Sequence, residues 1–151
     1  MLQNEYETVI IIRPDLDDAV TYAIVENLEA VIATNGGQLL YRDDWGKRKL
    51  AYPIKRHQKG HYVLETYVAP ANIVLEFERK IRIEDNIIRF LTSKVAENVD
   101  IAERMEKAEE YRIKKAQEAE KARIEALQAE EERKRAAEND YYDNDDVDLD
   151  N

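Results

Sequence analysis

At 151 residues, without cysteine and with a formal net charge of −10, the chain excludes disulfide frameworks, thiolate metal sites and thiol nucleophiles. Its N-terminus lacks a basic n-region, and the longest apolar run there, Val9 to Ile12, is far too short for a signal or membrane segment, so a soluble cytoplasmic protein is expected. The charge is unevenly spread: residues 1–96 carry 13 basic and 14 acidic side chains, residues 97–151 carry 10 and 19.

Tyr6 to Arg13 is rich in β-branched residues, with Val9 and Ile11 on one face and Ile10 and Ile12 on the other, as in a strand covered on both sides. Pro14 ends it. Asp15, Asp17 and Asp18 offer N-caps for a helix whose stripe is Val20, Ile24, Leu28, Val31 and Ile32, and Asn35-Gly36-Gly37 closes that helix. A cluster of aspartates also suggests a metal, but capping explains these with fewer assumptions. Gln38 to Tyr52 reads as a long strand with a bulge at Gly46, Lys55 to Gly60 as a connecting loop, and His61 to Val68 as the returning strand. Pro70 opens a second helix with Ile73, Val74, Phe77 and Ile81 inward. Asp85-Asn86 then turns into a last strand, Ile87 to Val95.

The order β-α-β-β-α-β predicts an α+β, ferredoxin-like domain over residues 1–96: a four-stranded antiparallel sheet with both helices on one face. The other face is left for solvent or a partner. From Asp100 to about Glu138 there is neither Gly nor Pro, and Glu103/Lys107, Glu110/Lys114, Glu130/Lys134 and Glu131/Arg135 stand at helical spacing. A charged, solvated segment is expected over 97–138, with Asp100 to about Glu138 a long single helix of about 58 Å at ~1.5 Å per residue. Its alanine seam is too small for a coiled coil. The aspartate-rich residues 139–151 are expected to be an acidic disordered tail.

Against the overall charge, Arg42 to His61 holds seven basic residues and two acids. Lysines on a hairpin also discourage edge-to-edge aggregation. Trp45 and Tyr62 set among these cations point instead to nucleic acid, where phosphates meet cations and bases meet rings. The candidate RNA-binding residues are Trp45, Lys47, Arg48, Lys49, Lys55, Arg56, His57, Lys59 and Tyr62. His57 and His61 lack the further ligands that a zinc site needs, and hydrogen bonding to RNA or solvent is the simpler role. No glycine-rich phosphate loop, HExxH or GxSxG pattern occurs, so neither an enzyme, a cofactor nor a small-molecule substrate is expected. One competing class is a protein-interaction adaptor acting through the charged C-terminal helix. Another, a ferredoxin-like small-molecule sensor or acylphosphatase-like enzyme, would need an anion-cradling loop after the first strand, where Arg13-Pro14-Asp15 offers acids and no glycine.

Trp45-Gly46-Lys47-Arg48-Lys49-Leu50-Ala51-Tyr52-Pro53-Ile54, with Tyr6-Glu7 before it and Gly60-His61-Tyr62 and Asp85-Asn86-Ile87-Ile88-Arg89 after it, resembles the bacterial small-subunit ribosomal protein "S six" family. The resemblance covers about residues 4 to 96. It implies a ferredoxin-like structural constituent of the small ribosomal subunit that binds the central domain of 16S-type rRNA with the small-subunit protein "S eighteen". By the same resemblance Arg48 and Lys49 take the place of the family's basic pair, Tyr62 of its third-strand aromatic, and Arg89 of its last-strand arginine. Hairpin and Tyr62 are then expected toward RNA, and the open sheet, with Tyr6 and Arg89, toward the partner.

Overall fold

The computed structural model describes the backbone of residues 2–145 and the side chains of residues 3–138. In chain order the elements are β1 (Leu2–Ile12), α1 (Asp18–Thr34), β2 (Gln38–Ile54), β3 (His57–Ala69), α2 (Ala71–Ile83), β4 (Ile87–Asp100) and α3 (Ile101–Asp145). The strands form one antiparallel sheet in the order β2-β3-β1-β4, which is the ferredoxin-like arrangement expected from the sequence.

Alternation along β1 divides the apolar residues between two faces. Tyr6, Ile10 and Ile12 join Val63 and Tyr67 of β3 beneath Ile24, Val25, Leu28 and Ile32 of α1 and Ile73, Phe77 and Ile81 of α2. Ile11 packs on the other side with Leu50, Ile88, Ile54 and Tyr62. Asp17 caps α1 by accepting the Val20 N–H at 2.9 Å. Gly36, at φ +83°, ends that helix in a Schellman arrangement, with Gly37 N–H donating to the Ile32 carbonyl at 2.9 Å and Gly36 N–H to that of Ala33 at 3.2 Å.

Several boundaries differ from expectation. The Lys55–Gly60 segment is not a loop: β3 begins at His57 and only Lys55 and Arg56 turn. β4 runs to Asp100, and the compact unit ends at Glu109 rather than near residue 96. The first turns of α3 belong to that unit because Ile101, Met105 and Ala108 pack on Leu40, Val68 and Val99, on the sheet face opposite α1 and α2. Ala108 is only 2% exposed, so this part of the helix is not solvated and part of the open face is covered. Asp100 starts α3 by accepting the Glu103 N–H at 3.0 Å.

The second unit, from Glu110 on, is helix; of the ion pairs expected there Lys134–Glu130 is present at 2.7 Å, and Lys121–Glu125 and Arg123–Glu120 stand at 3.9 Å. Helix continues through Asp145, so the expected disordered tail does not begin at 139; no Gly or Pro interrupts the i→i−4 ladder there. Residues 146–151 lie outside the described residues.

Gly60 packs directly against Ile11 of β1. A Cβ on it would overlap the Ile11 Cγ2, a branched carbon that cannot swing aside. Gly60→Ala is expected to lower stability by about 1–3 kcal/mol through overpacking, read as a lower urea midpoint. An unshifted midpoint would mean that the ribbon lifts away from β1 freely.

Candidate nucleic-acid interface

The hairpin is built by a slipping register. β2 and β3 pair regularly from Gly46↔Tyr62 to Lys49↔Lys59, then lose register until Ile54↔His57. Leu50 to Pro53 therefore leaves the ladder, which allows Pro53, with no N–H to donate, within β2. The expected bulge at Gly46 is present, at φ +71° and with a register shift beside it. At the tip Lys55 and Arg56 have φ +46° and +69°, the left-handed backbone of a two-residue hairpin turn that normally selects Asn-Gly.

These distortions gather the cations. Lys47, Arg48, Lys49, Lys55, Arg56 and Lys59 are all exposed or half-exposed, and Lys49 stands directly opposite Lys59. Like charges in register disfavour the pairing. Elsewhere in this unit most cations are matched, among them Arg13 with Asp15, Arg42 with Glu29, Arg79 with Glu76 and Arg104 with Glu5, while Lys80 and Arg89 are in no ion pair among the described residues. Among the described residues none of the six hairpin cations is held in an ion pair.

The two acids of the segment are withdrawn. Asp43 is buried at 5% exposure. Asp44 Oδ1 accepts the Gly46 N–H at 2.7 Å and lies 2.7 Å from His61 Nε2. Burial opposes ionisation of Asp44, but the Gly46 N–H and the His61 ring outweigh it and hold the carboxyl below its ordinary range. His61 is consequently 5% exposed and does not face solvent or RNA, contrary to expectation. Its place in β3, opposite Lys47, turns it toward the helix side.

Trp45 and Tyr62 stack with ring centroids 6.3 Å apart and planes 21° from parallel. The Arg48 guanidinium lies 5.5 Å above Trp45, and its Nε–H donates to the Trp45 carbonyl at 3.2 Å. Trp45 remains 38% exposed. His57 is half-buried beside the tip.

The two expected partner residues separate. Tyr6 is 6% exposed, stacked on Tyr67 at 5.7 Å in the core under the helices, and cannot meet a partner. A strand that is apolar on both faces gives no sign of which face is open, and one residue of parity decides it. Arg89 is exposed opposite Ile11, its guanidinium 5.7 Å over the Tyr52 ring and Nη1–H donating to the Tyr52 hydroxyl. Beside it lies a groove of about 350 Å³, walled by Val9, Ile11, Leu50, Ile54, Tyr62 and Leu91. Leu91 is 67% exposed there. Tyr52 and Leu91 were not among the predicted site residues; the departure of Leu50 to Pro53 from the ladder is what brings them together.

A sequence model of the family described as "Ribosomal protein S6" matches residues 5–94, more than half of the chain. The chain belongs to the ribosomal protein S6 family. It is 42% identical over 97 residues to small ribosomal subunit protein bS6 of Syntrophobacter fumaroxidans, an alignment covering 64% of this chain and 66% of that protein. With the bS6 protein of Nitratiruptor sp. it shares 42% identity over 99 residues, 66% of this chain and 77% of the other. The chain thus spans just under two thirds of the length of the first of these relatives. Its fold is similar to the crystal structure of 30S ribosomal protein S6 from Thermotoga maritima, with a TM-score of 0.60 and 26% identity over 62% of this chain and 88% of that one. The S6 match ends before α3, so the docked turns carrying Ile101, Met105 and Ala108 lie beyond it.

Proposed function

We propose that this S6-family protein acts by position rather than by chemistry: its β2–β3 hairpin holds folded small-subunit rRNA, the central domain of the 16S-type molecule, while the groove beside Arg89 seats the protein S eighteen. Trp45, Lys47, Arg48, Lys49, Lys55, Arg56, His57, Lys59 and Tyr62 form the RNA surface, and Arg89 stands at the edge of the partner surface. The observation that carries this reading is the set of unpaired hairpin cations around an exposed Trp45–Tyr62 stack. A fold that keeps Lys49 opposite Lys59 and leaves both without a counter-ion is suited to an external polyanion. The stack supplies a π-face on which an unpaired base rests, worth about 1–3 kcal/mol per base. For the partner, an apolar groove on a sheet face suits protein better than RNA, because burying Leu91 and Tyr52 against apolar side chains removes water from both.

Arg48→Ala combined with Lys49→Ala tests the RNA half. Affinity for central-domain rRNA is expected to fall, and the log–log salt dependence to become shallower by roughly 0.7–0.9 for each phosphate no longer neutralised. The thermal midpoint should hold, since neither side chain is buried. Unchanged affinity in the folded double variant would overturn the assignment.

A further inference from the structure

We infer that Lys55, Arg82 and Arg89 form a second anion site that takes a backbone phosphate of the same RNA. This inference rests on the RNA-binding reading above. The three cations come from separate elements: the hairpin tip, the last turn of α2 and the start of β4. They line one cavity of about 250 Å³ whose apolar floor is Ile81, Ile87 and Ile88.

Each arginine is anchored in a way that leaves its fork available. Arg82 lies 5.4 Å over the Phe90 ring and donates one Nη2–H to Glu78 at 3.0 Å. Arg89 lies over Tyr52 and donates through Nη1 to its hydroxyl. A guanidinium has five N–H donors, so most remain unspent while the plane is held by a ring. Such pre-orientation lowers the entropy lost when a phosphate is gripped. Lys55 adds a point charge from a backbone held at φ +46°.

The neighbouring acids offset this charge only in part, through the Arg82–Glu78 ion pair at 3.0 Å. Glu78 meets only one nitrogen of Arg82, and Glu84 accepts from the backbone and side-chain amides of Asn86 at 3.2 and 2.8 Å. The C-terminal end of α2 carries negative partial charge, which Lys80 and Arg82 in its last turn offset. Lys55 belongs both to this cavity and to the hairpin, so an RNA strand on the hairpin can place its next phosphate here. That shared residue favours RNA over an acidic peptide.

The test uses the full chain with Arg82→Ala, and Arg82→Lys as the conservative variant. Arg82→Ala is expected to weaken central-domain rRNA binding roughly three- to tenfold and to reduce the salt slope by about 0.7–0.9, with partial recovery in Arg82→Lys. Inorganic phosphate should shift the Nε–H resonances of Arg82 and Arg89 in the parent protein, but not that of Arg13, whose Nε–H and Nη2–H are both donated to Asp15. If Arg82→Ala leaves rRNA affinity and slope unchanged while the Arg48/Lys49 double variant loses RNA, the pocket is overturned and the hairpin reading stands. The pocket is equally overturned if phosphate shifts the resonances without any effect on RNA, or if only binding of S eighteen weakens. Should neither variant affect RNA, both readings fall.

Discussion

Replacing Glu65 by glutamine is expected to change stability in a direction that turns with pH, from a small loss near pH 4 to a net gain above pH 8. Glu65 lies between Val63 and Tyr67 on β3, paired with Thr8 on one side and Arg42 on the other, and is 0% exposed. Both carboxyl oxygens are buried without a hydrogen-bond partner. Burial, reinforced by Glu29 and only partly relieved by Arg42, pushes its pKa from an ordinary 4.5 to about 8. Below pH 4.5 both the folded and unfolded chains carry the proton, and the pH dependence vanishes. Between 4.5 and about 8 the unfolded chain releases it and the folded chain keeps it, so stability falls by about 1.4 kcal/mol per pH unit. Above 8 the loss is complete. Glutamine has the shape of the protonated acid and does not titrate, so Glu65→Gln removes this slope at the cost of an unsatisfied amide that dominates at low pH. Urea unfolding of both proteins at pH 4, 6, 8 and 9 measures the difference, and parallel curves would show Glu65 ionised in the fold. The lowered Asp44 carboxyl acts with the opposite sign, but it is common to both proteins and cancels.

The element order, the division of Val9 and Ile11 from Ile10 and Ile12, the Asp17 cap and the Gly46 bulge were all legible, because periodicity and cap chemistry act over a few residues. What escaped depends on faces and on distant meetings. His57-Gln58-Lys59-Gly60 reads as loop because its residues are polar, yet Gly60 is needed there by the approach of Ile11. Lys55-Arg56 hides a turn because neither residue is the Asn or Gly that such a backbone favours. Tyr6 stands on the covered face by one residue of parity. Ile101, Met105 and Ala108 do recur at helical spacing, but three apolar positions in a charged run give no hint that a sheet receives them. Arg82 and Arg89 are separated by a helix end and a turn, so their shared cavity is a property of the α2–β4 connection alone.

Exchanging the tip itself, Lys55→Asn with Arg56→Gly, should move stability and RNA affinity in opposite directions. Two bulky residues at positive φ each cost about 1–2 kcal/mol, and Asn-Gly adopts this turn without that strain. Glycine also gives the unfolded chain more freedom, which takes back roughly 0.5–1 kcal/mol. The net gain expected is about 1–3 kcal/mol, read as a higher urea midpoint. RNA binding should weaken at the same time, because the variant removes one hairpin cation and the lysine shared with the second anion site. Its salt slope should drop by roughly 0.7–0.9 for each phosphate released. A more stable protein with undiminished affinity would mean that the tip does not touch RNA, and the strain would then be without a functional reason. A protein that binds more weakly without gaining stability would place the cations on RNA but leave the left-handed turn unstrained. Only the opposed pair of changes shows that the fold tolerates an unfavourable backbone in order to hold Lys55 and Arg56 at its outermost point.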